Sequence, residues 1–411
     1  MGPQVVSLVV LVLIFAAGTT LPVNLGVLGF VAAFGVGTLA VGMSTEDIIA
    51  GFPGDLFLTL VGVTYLFGIA ERNGTVDLLV GAAVRSVRGR AALVPWIFFA
   101  VAALLMSIGA LFAVAIVAPL ALGCARRYGI DPLLMGMLVV HGALGGAFAP
   151  TSVYGSFVNG VVGGAGLPGD PVVLALAPLL FNIAAGAVVF ALRGGRRLVR
   201  LRVEDDAGAR AQRVRLDQVL TGGAVLALAL GTVLFDLDVG FLALTLSVVL
   251  VLVSPAARTG AVERISWSTV LLIGGVLTYV GVLERAGTVD YVSRAVAGMG
   301  MPLVAALLLC LIGGIASAFA SSVAILGVLI PLSVPFLAQG EIGAVGMVAA
   351  LAVAATVVDV SPFSTNGALV LANAADDARE ALYRRMLAYS GAVVLLGPAL
   401  AWVVLVVPGL L

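Results

Sequence analysis

Two short polar segments interrupt long apolar stretches of the chain, and their residue types suit ion binding. The sequence "SPFSTNG" at 361–367 combines a proline, hydroxyl side chains, an amide and a glycine, and "APTSVYG" at 149–155 repeats the proline, the hydroxyl side chains and the glycine. Proline removes a backbone donor and disfavours helix at the residue before it. Each segment is therefore expected to split a helix into halves, whose free amides suit an anion and whose free carbonyls suit a cation. The alternative is a proline kink in a packed helix.

The side chains at these two breaks are the first candidates for contact with a ligand. We expect a substrate to meet hydroxyl and amide groups there. The expected substrate contacts at the breaks are Ser152, Tyr154, Ser364, Thr365 and Asn366.

Two ionisable residues lie in the apolar segments close to the breaks. Asp359 precedes Ser361 by two residues, and a carboxylate inside a membrane segment is costly and usually functional. We expect it to complete a cation site or to carry a proton; the alternative is a carboxylate that holds free amides of the broken helix. His141, the only histidine, is a candidate for substrate contact or proton relay. A core imidazole with satisfied hydrogen bonds is the alternative.

Two further segments predict helical hairpins with tips made of small residues. They are "MSIGALFAVAIVAPL" at 106–120 and "SAFASSVAILGVLIPL" at 317–332, each of which rises to a proline. Small tip residues expose backbone amides at the start of a helix, which is an anion-binding arrangement; packing of small residues between helices is the alternative. The tip candidates are Gly109, Ala110, Ser317, Ala320, Ser321 and Ser322.

The composition places these segments in a membrane. The 411 residues are 62% hydrophobic and 10% charged, with a mean hydropathy of +1.22, which indicates an all-α polytopic membrane protein. All 21 basic residues are arginine, so the chain lacks the lysine of a phosphate-binding P-loop and does not itself use ATP. The zero net charge argues against a nucleic-acid partner.

About 20 apolar residues are needed to span a bilayer, and ten segments of the sequence qualify. Two more apolar stretches, 92–124 and 301–338, are interrupted and are the expected hairpins. The broken helices are expected at 131–163 and 343–375. The ten segments are roughly 4–20, 23–43, 54–71, 131–163, 171–192, 218–235, 239–254, 268–284, 343–375 and 386–410.

An internal repeat divides the chain into halves at 1–192 and 218–411. The sequence "ERNGTVD" at 71–77 recurs as "ERAGTVD" at 284–290, and the hairpin prolines and polar breaks recur at nearly the same offset. Polar matches of this kind are not a by-product of apolar composition. The repeat is typical of duplicated transporters.

The basic segment 193–217 joins the halves and predicts their orientation. It carries 8 of the 21 arginines, and short basic loops stay on the cytoplasmic side. Five spans and one re-entrant hairpin per half is an odd number, so the second half would be inverted. This arrangement places 19 of the 21 arginines inside and both chain ends outside the cytoplasm.

Three stretches carry a resemblance to a known family: 51–80, "MGMLVVHGALGGAFAPTSVYG" at 135–155 and "SPFSTNGALVLANA" at 361–374. The chain resembles the ion transporter superfamily, which includes divalent anion:sodium symporters, and more closely the malonate or dicarboxylate carrier family. The resemblance implies a homodimer, with an elevator-type transport domain and a scaffold in each protomer. It also implies substrate and cation sites at the two hairpin tips.

The hairpin tips differ from the pattern of this superfamily, which carries Ser-Asn-Thr ten residues before the hairpin proline. The second tip keeps hydroxyl groups, whereas Gly109 and Ala110 leave the first without a polar side chain. The resemblance therefore implies cations held by backbone carbonyls near Gly109 and Gly155, and at the second tip by Ser317, Ala320, Ser322, Asp359 and Asn366.

The resulting hypothesis is secondary active transport of a small dicarboxylate, malonate or a four-carbon acid, across a bacterial-type inner membrane. Hard oxygen ligands favour Na⁺ as the coupling ion, with H⁺ as the alternative; no cofactor or transition metal is expected. Transport or export of another small oxyanion, a passive channel and a membrane-embedded enzyme are the other possibilities. The residues show no partner for His141 at the spacing of a hydrolase motif.

Overall fold

The structure, a computed structural model, describes residues 2–76, 78, 82, 90–200, 214–235, 237–254, 262–288, 291, 301–318 and 322–409. This part of the chain contains 18 α-helices and no β-strand. The helices are α1 (Pro3–Thr20), α2 (Leu25–Val36), α3 (Thr45–Ala50), α4 (Gly54–Arg72), α5 (Leu93–Ser107), α6 (Ala113–Tyr128), α7 (Pro132–Gly146), α8 (Val153–Gly164), α9 (Pro171–Leu192), α10 (Gly195–Arg200), α11 (Leu216–Phe235), α12 (Val239–Val253), α13 (Trp267–Arg285), α14 (Pro302–Ser317), α15 (Ser322–Leu337), α16 (Ala344–Val357), α17 (Thr365–Ala372) and α18 (Asp376–Leu405).

Five helical segments within the described ranges are long and apolar enough to cross a bilayer. They include α4, α9 and α13, together with 344–372 and 377–405. Eight other apolar helices have 10–17 residues, so the ten spans expected from hydropathy are not all long uninterrupted helices. The segment expected at 23–43, for example, ends its α-helix at Val36 and continues as a π-helical turn, Gly37–Val41.

Two helix pairs join the N-terminal and C-terminal halves of the chain. Helix α2 packs against α13, and α12 packs against α4, so each half supplies one helix to a partner in the other half. Backbones approach closely at both crossings: a Cβ on Gly275 would lie 1.8 Å from the carbonyl oxygen of Gly26, and one on Gly62 would lie 2.6 Å from that of Gly240. Small residues permit this kind of close helix contact in membranes.

The repeated "ERxGTVD" segments hold the first helix of the opposite half. Thr288 shares a hydrogen bond of 2.7 Å with Ser7 on α1. Asn73 donates one of 2.7 Å to Thr221 on α11. Since both contacts are buried, these motifs join the halves. Asp77 and Asp290 of the motifs lie outside the described residues.

The centre of the molecule is formed by α7 and α16, whose residues are buried except for Pro132 and Val345. Helix α7 packs against α5, α6 and α9, and α16 packs against α14, α15 and α18. The two stretches expected to be hairpins are the helix pairs α5–α6 and α14–α15. Between the halves, the connector 193–217 contains helix α10 and the start of α11, while 201–213 lie outside the described residues.

Candidate functional site

The first polar segment separates α7 from α8, as its proline and hydroxyl residues indicate. Ser152 is the N-cap of α8: its Oγ accepts a hydrogen bond from the amide of Gly155 at 2.9 Å. The same hydroxyl donates to the carbonyl oxygens of Ala147 and Ala149. A Cβ on Gly155 would lie 2.0 Å from the oxygen of Ala149, so only glycine permits this close return of the chain.

The second polar segment separates α16 from α17 in the same way. A 3₁₀ turn, Val358–Val360, follows α16. Ser364 caps α17 by accepting from the Gly367 amide at 3.2 Å, and its hydroxyl donates to the carbonyl oxygens of Asp359 at 2.6 Å and Ser361 at 2.7 Å. A Cβ on Gly367 would lie 1.9 Å from the oxygen of Ser361. The two breaks therefore share one local structure.

Both breaks contribute to a single cavity of about 350 Å³. Its wall combines Tyr154 from the first break with residues of the second break and of both helical hairpins. Helix α13 and the junction of α1 and α2 complete it. The lining residues are Gly18, Leu25, Leu111, Phe112, Tyr154, Thr269, Leu272, Ser322, Val323, Asp359, Phe363, Ser364, Thr365 and Asn366.

Besides α2, four helices of the hairpins and the breaks begin at the wall of this cavity. Phe112 is the N-cap of α6, Tyr154 is the second residue of α8, and Ser322 and Thr365 are the first described residues of α15 and α17. A helix N-terminus carries unpaired amide groups and the positive end of the helix dipole. The cavity is therefore surrounded by groups that stabilise an anion.

A chain of oxygen atoms runs from the second hairpin to the carboxylate of Asp359. Ser322 Oγ donates to Asp359 Oδ2 at 3.0 Å. Ser317 Oγ lies 2.9 Å from Ser322 Oγ and 2.5 Å from the carbonyl oxygen of Ala355. Asp359 is 7% exposed and reaches the cavity. Carboxylate, hydroxyl and carbonyl oxygens are the ligands that hard cations prefer.

Three polar side chains on the cavity wall have no hydrogen-bond partner within the described part of the chain: Tyr154, Thr365 and Asn366. Asn366 is only 9% exposed. These groups are therefore available to bind a polar guest in the cavity.

Several predicted site residues lie away from this cavity wall. Ser152 is used in capping α8, and Gly109 and Ala110 lie in the turn between α5 and α6. Gly109 has a φ of +101°, and a Cβ there would lie 2.2 Å from a methyl group of Val63. The next two residues of this turn, Leu111 and Phe112, line the cavity instead.

At the second tip the structure places Ser322 on the cavity wall and Ser317 behind it. Ala320 and Ser321 lie outside the described residues. Gly155 lies next to the first break, where its amide is bound by Ser152.

His141 is fully buried within α7 and is not among the residues that line the cavity. Its Nδ1 lies 2.7 Å from Asn182 Oδ1, and its Nε2 lies 2.6 Å from the hydroxyl of Tyr389. Both ring nitrogens are therefore occupied, which favours the reading of His141 as a core imidazole with satisfied hydrogen bonds.

The part of the cavity wall formed by α13 and the α1–α2 junction was not predicted from the sequence. Thr269 and Leu272 lie one turn apart on α13, and Leu25 begins α2. No polar pattern marks these positions. The internal repeat was the one sequence feature related to these positions. Packing of α2 on α13 brings both helices near the second break.

Residues 1–147 match the family model described as "Dicarboxylate carrier protein MatC N-terminus". The crystal structure of the YdaH transporter from Alcanivorax borkumensis has a similar fold, with a TM-score of 0.56 and 17% identity over 87% of this chain and 86% of that chain. At this identity the likeness shows the fold. No curated protein matches the chain.

The helices that are long and apolar enough to span a bilayer define the class, a multi-pass membrane protein, and the family match points to a carrier over its N-terminal part. The match also confirms the resemblance to the dicarboxylate carrier family, whose N-terminal region corresponds to residues 1–147 of this chain.

Proposed function

We propose that the protein is a secondary active transporter that moves a small dicarboxylate, such as malonate or a four-carbon acid, together with Na⁺. The observation that carries this proposal is the convergence of four helix N-termini on one cavity. Amide groups at a helix N-terminus bind carboxylates without a basic side chain. Tyr154, Thr365 and Asn366 add hydrogen-bonding groups at the same wall.

The charge of the cavity supports coupling to a cation. Among the described residues on its wall, Asp359 is the one acidic side chain and none is basic. A dicarboxylate would add two negative charges close to Asp359. Because like charges in a poorly hydrated cavity repel strongly, bound cations are needed to balance the guest. Binding of one species then promotes binding of the other, which is the thermodynamic basis of coupling.

The groups near Asp359 are better suited to binding Na⁺ than to relaying a proton. The carboxylate, the hydroxyl groups of Ser317 and Ser322 and the carbonyl of Ala355 form a set of hard oxygen ligands. A relay would need a series of titratable groups, and His141 is not among the residues on the cavity wall. Coupling to H⁺ through protonation of Asp359 is the alternative, and uptake under separate Na⁺ and proton gradients distinguishes the two.

An elevator-type mechanism in a homodimer accords with the division of the cavity wall. One side is formed by the hairpins and broken helices, and the other by α13 and the α1–α2 junction. We propose that the first set moves with substrate and cation while the second set remains fixed. The basic connector 193–217 would face the cytoplasm, in an inner membrane of bacterial type.

Uptake by proteoliposomes tests this function. Purified protein is reconstituted, and labelled malonate and succinate are supplied under an inward Na⁺ gradient or an inward proton gradient, each imposed alone. We expect accumulation above the external concentration with Na⁺ and little with protons. A proton-driven result would correct the coupling ion, and absence of uptake of either acid under both gradients would contradict the proposal.

Two variants serve as controls in this assay. Asn366→Ala removes an amide from the cavity wall and should abolish uptake. Asn159→Ala removes an amide outside the lining of this cavity and should leave uptake intact. If a sulfate or phosphate ion competes with malonate more strongly than succinate does, the substrate is another small oxyanion.

A further inference from the structure

A second cavity, of about 460 Å³, lies at the end of the molecule where the basic connector begins. It is lined by the junction of α6 and α7, by the end of α9 with α10, and by α18. Four arginines and one aspartate lie on its wall: Arg126, Arg193, Arg197, Arg385 and Asp131. No step of the proposed transport cycle uses these residues.

The positive charge of this cavity is only partly balanced by protein groups. Asp131 binds Arg385 through Oδ2, and its Oδ1 accepts from the amide of Leu133 at 2.8 Å. In the described ranges, the guanidinium groups of Arg126, Arg193 and Arg197 have no carboxylate partner. Three positive charges around one cavity repel each other, and an anion between them removes this repulsion.

Two simpler explanations account for part of this arrangement. Arg126 lies in the last turn of α6 and Arg193 is the C-cap of α9, where a positive charge is favoured by the helix dipole. The excess of basic residues in cytoplasmic loops of membrane proteins explains the number of arginines around the cavity. Neither explanation requires that arginines from separate helices face one concave site.

We propose that this cavity binds a phosphate-bearing anion, and that its source is the headgroup of an anionic phospholipid. Arginine binds phosphate oxygens in a bidentate manner, and basic pockets between membrane helices suit such headgroups. Exposed apolar side chains that adjoin the lining residues Arg193 and Leu198 in sequence favour a lipid over free phosphate: Leu192 is 77% exposed and Val199 is 69% exposed. Acyl chains would cover these side chains.

The test measures lipid binding by the purified full chain in detergent. Thermal unfolding and native mass spectrometry are recorded with phosphatidylglycerol, with phosphatidylcholine and with glycerol 3-phosphate. We expect phosphatidylglycerol to raise the unfolding temperature and to remain bound, whereas the other two have little effect. The double variant Arg126→Gln/Arg197→Gln should weaken phosphatidylglycerol binding by roughly fivefold for each arginine removed.

A matched control removes two positive charges elsewhere. Arg384 and Arg215 are exposed and paired with Glu380 and Asp217, so Arg384→Gln/Arg215→Gln should bind the lipid as the wild type does. If the double variant of the cavity fails to fold, Arg126→Gln alone is measured. Equal binding by the cavity variant and the control would overturn the proposal. Equal affinity for glycerol 3-phosphate would keep the phosphate site and overturn the lipid source.

Discussion

Ser152 and Ser364, 212 residues apart in the sequence, make the same three hydrogen bonds. Each hydroxyl donates to the carbonyl oxygens five and three residues before it and accepts from the amide three residues after it. Each thereby ends one helical break and starts a short helix. The equivalence shows that the repeat seen in the sequence is also a repeat of local structure.

Substitution of these two serines should separate capping from substrate contact. Both Ser152→Ala and Ser364→Ala lose an N-cap, which costs about 1 kcal/mol of stability. Ser364 also lies on the cavity wall, whereas Ser152 does not. We expect similar falls in unfolding temperature but a larger loss of uptake for Ser364→Ala. Equal uptake by the two variants would remove the Ser364 hydroxyl from the site.

Asp359→Asn should abolish the dependence of transport on Na⁺. The substitution keeps the size of the side chain but removes the negative charge that faces the cation ligands, and a lost charged contact of this kind costs about 1.5–3 kcal/mol. Initial uptake rates against Na⁺ concentration measure the effect. Asp238→Asn is the matched control because Asp238 caps α12 at 2.8 Å from the amide of Phe241, and asparagine caps equally well.

Tyr154→Phe should weaken substrate binding by roughly 10-fold or more if the hydroxyl donates to a carboxylate. The ring, which packs edge-on against Phe148, is retained, so the fold should be unaffected. Tyr383→Phe provides the control, since Tyr383 contacts Phe363 through its ring and does not line the cavity. An unchanged KM for Tyr154→Phe would place the substrate away from the first break.

His141→Gln should lower stability without changing the pH profile of uptake. The imidazole links Asn182 to Tyr389 in the core, and a buried polar group left without its partner costs about 1–3 kcal/mol. Thermal unfolding and uptake between about pH 5.5 and 7.5 (a window of about one unit either side of the ordinary histidine pKa) measure the two effects. A shifted pH profile would restore His141 as a proton carrier.

Gly26→Ala should reduce the yield of folded protein. A Cβ at this position would lie 1.9 Å from the carbonyl oxygen of Leu271 on α13. Overpacking of this kind lowers the stability of the folded protein by about 1–3 kcal/mol. Gly35→Ala on the same helix is the control, because no atom lies within 4 Å of its added Cβ. Equal yields of monodisperse protein would contradict the role assigned to the α2–α13 crossing.

The sequence predicted the two breaks because their chemistry is local. A proline followed by a capping serine and a glycine can end one helix and start another without reference to the rest of the chain. Asn366 and Tyr154, which these breaks carry, line the cavity. The same reasoning located the second hairpin, where Ser322 combines a hydroxyl with the start of a helix.

Features that depend on contacts distant in sequence were not accessible in this way. The partners of His141 are 41 and 248 residues away, so the sequence left its role open. At the first hairpin, counting back from Pro119 reaches Gly109, Ala110 and Leu111, and the turn places Leu111 and the next residue, Phe112, on the cavity wall. Thr269 lies on the cavity wall because the two halves of the chain pack together, and no local sequence pattern predicts this packing.

Equilibrium binding of labelled malonate to the purified protein tests the central claim most directly, namely that one cavity holds a dianion and its cations together. We predict that the affinity for malonate rises with Na⁺ concentration in the wild type. This rise should disappear in Asp359→Asn, and binding itself should be lost in Asn366→Ala. Malonate affinity that is independent of Na⁺ and unchanged in both variants would contradict the account.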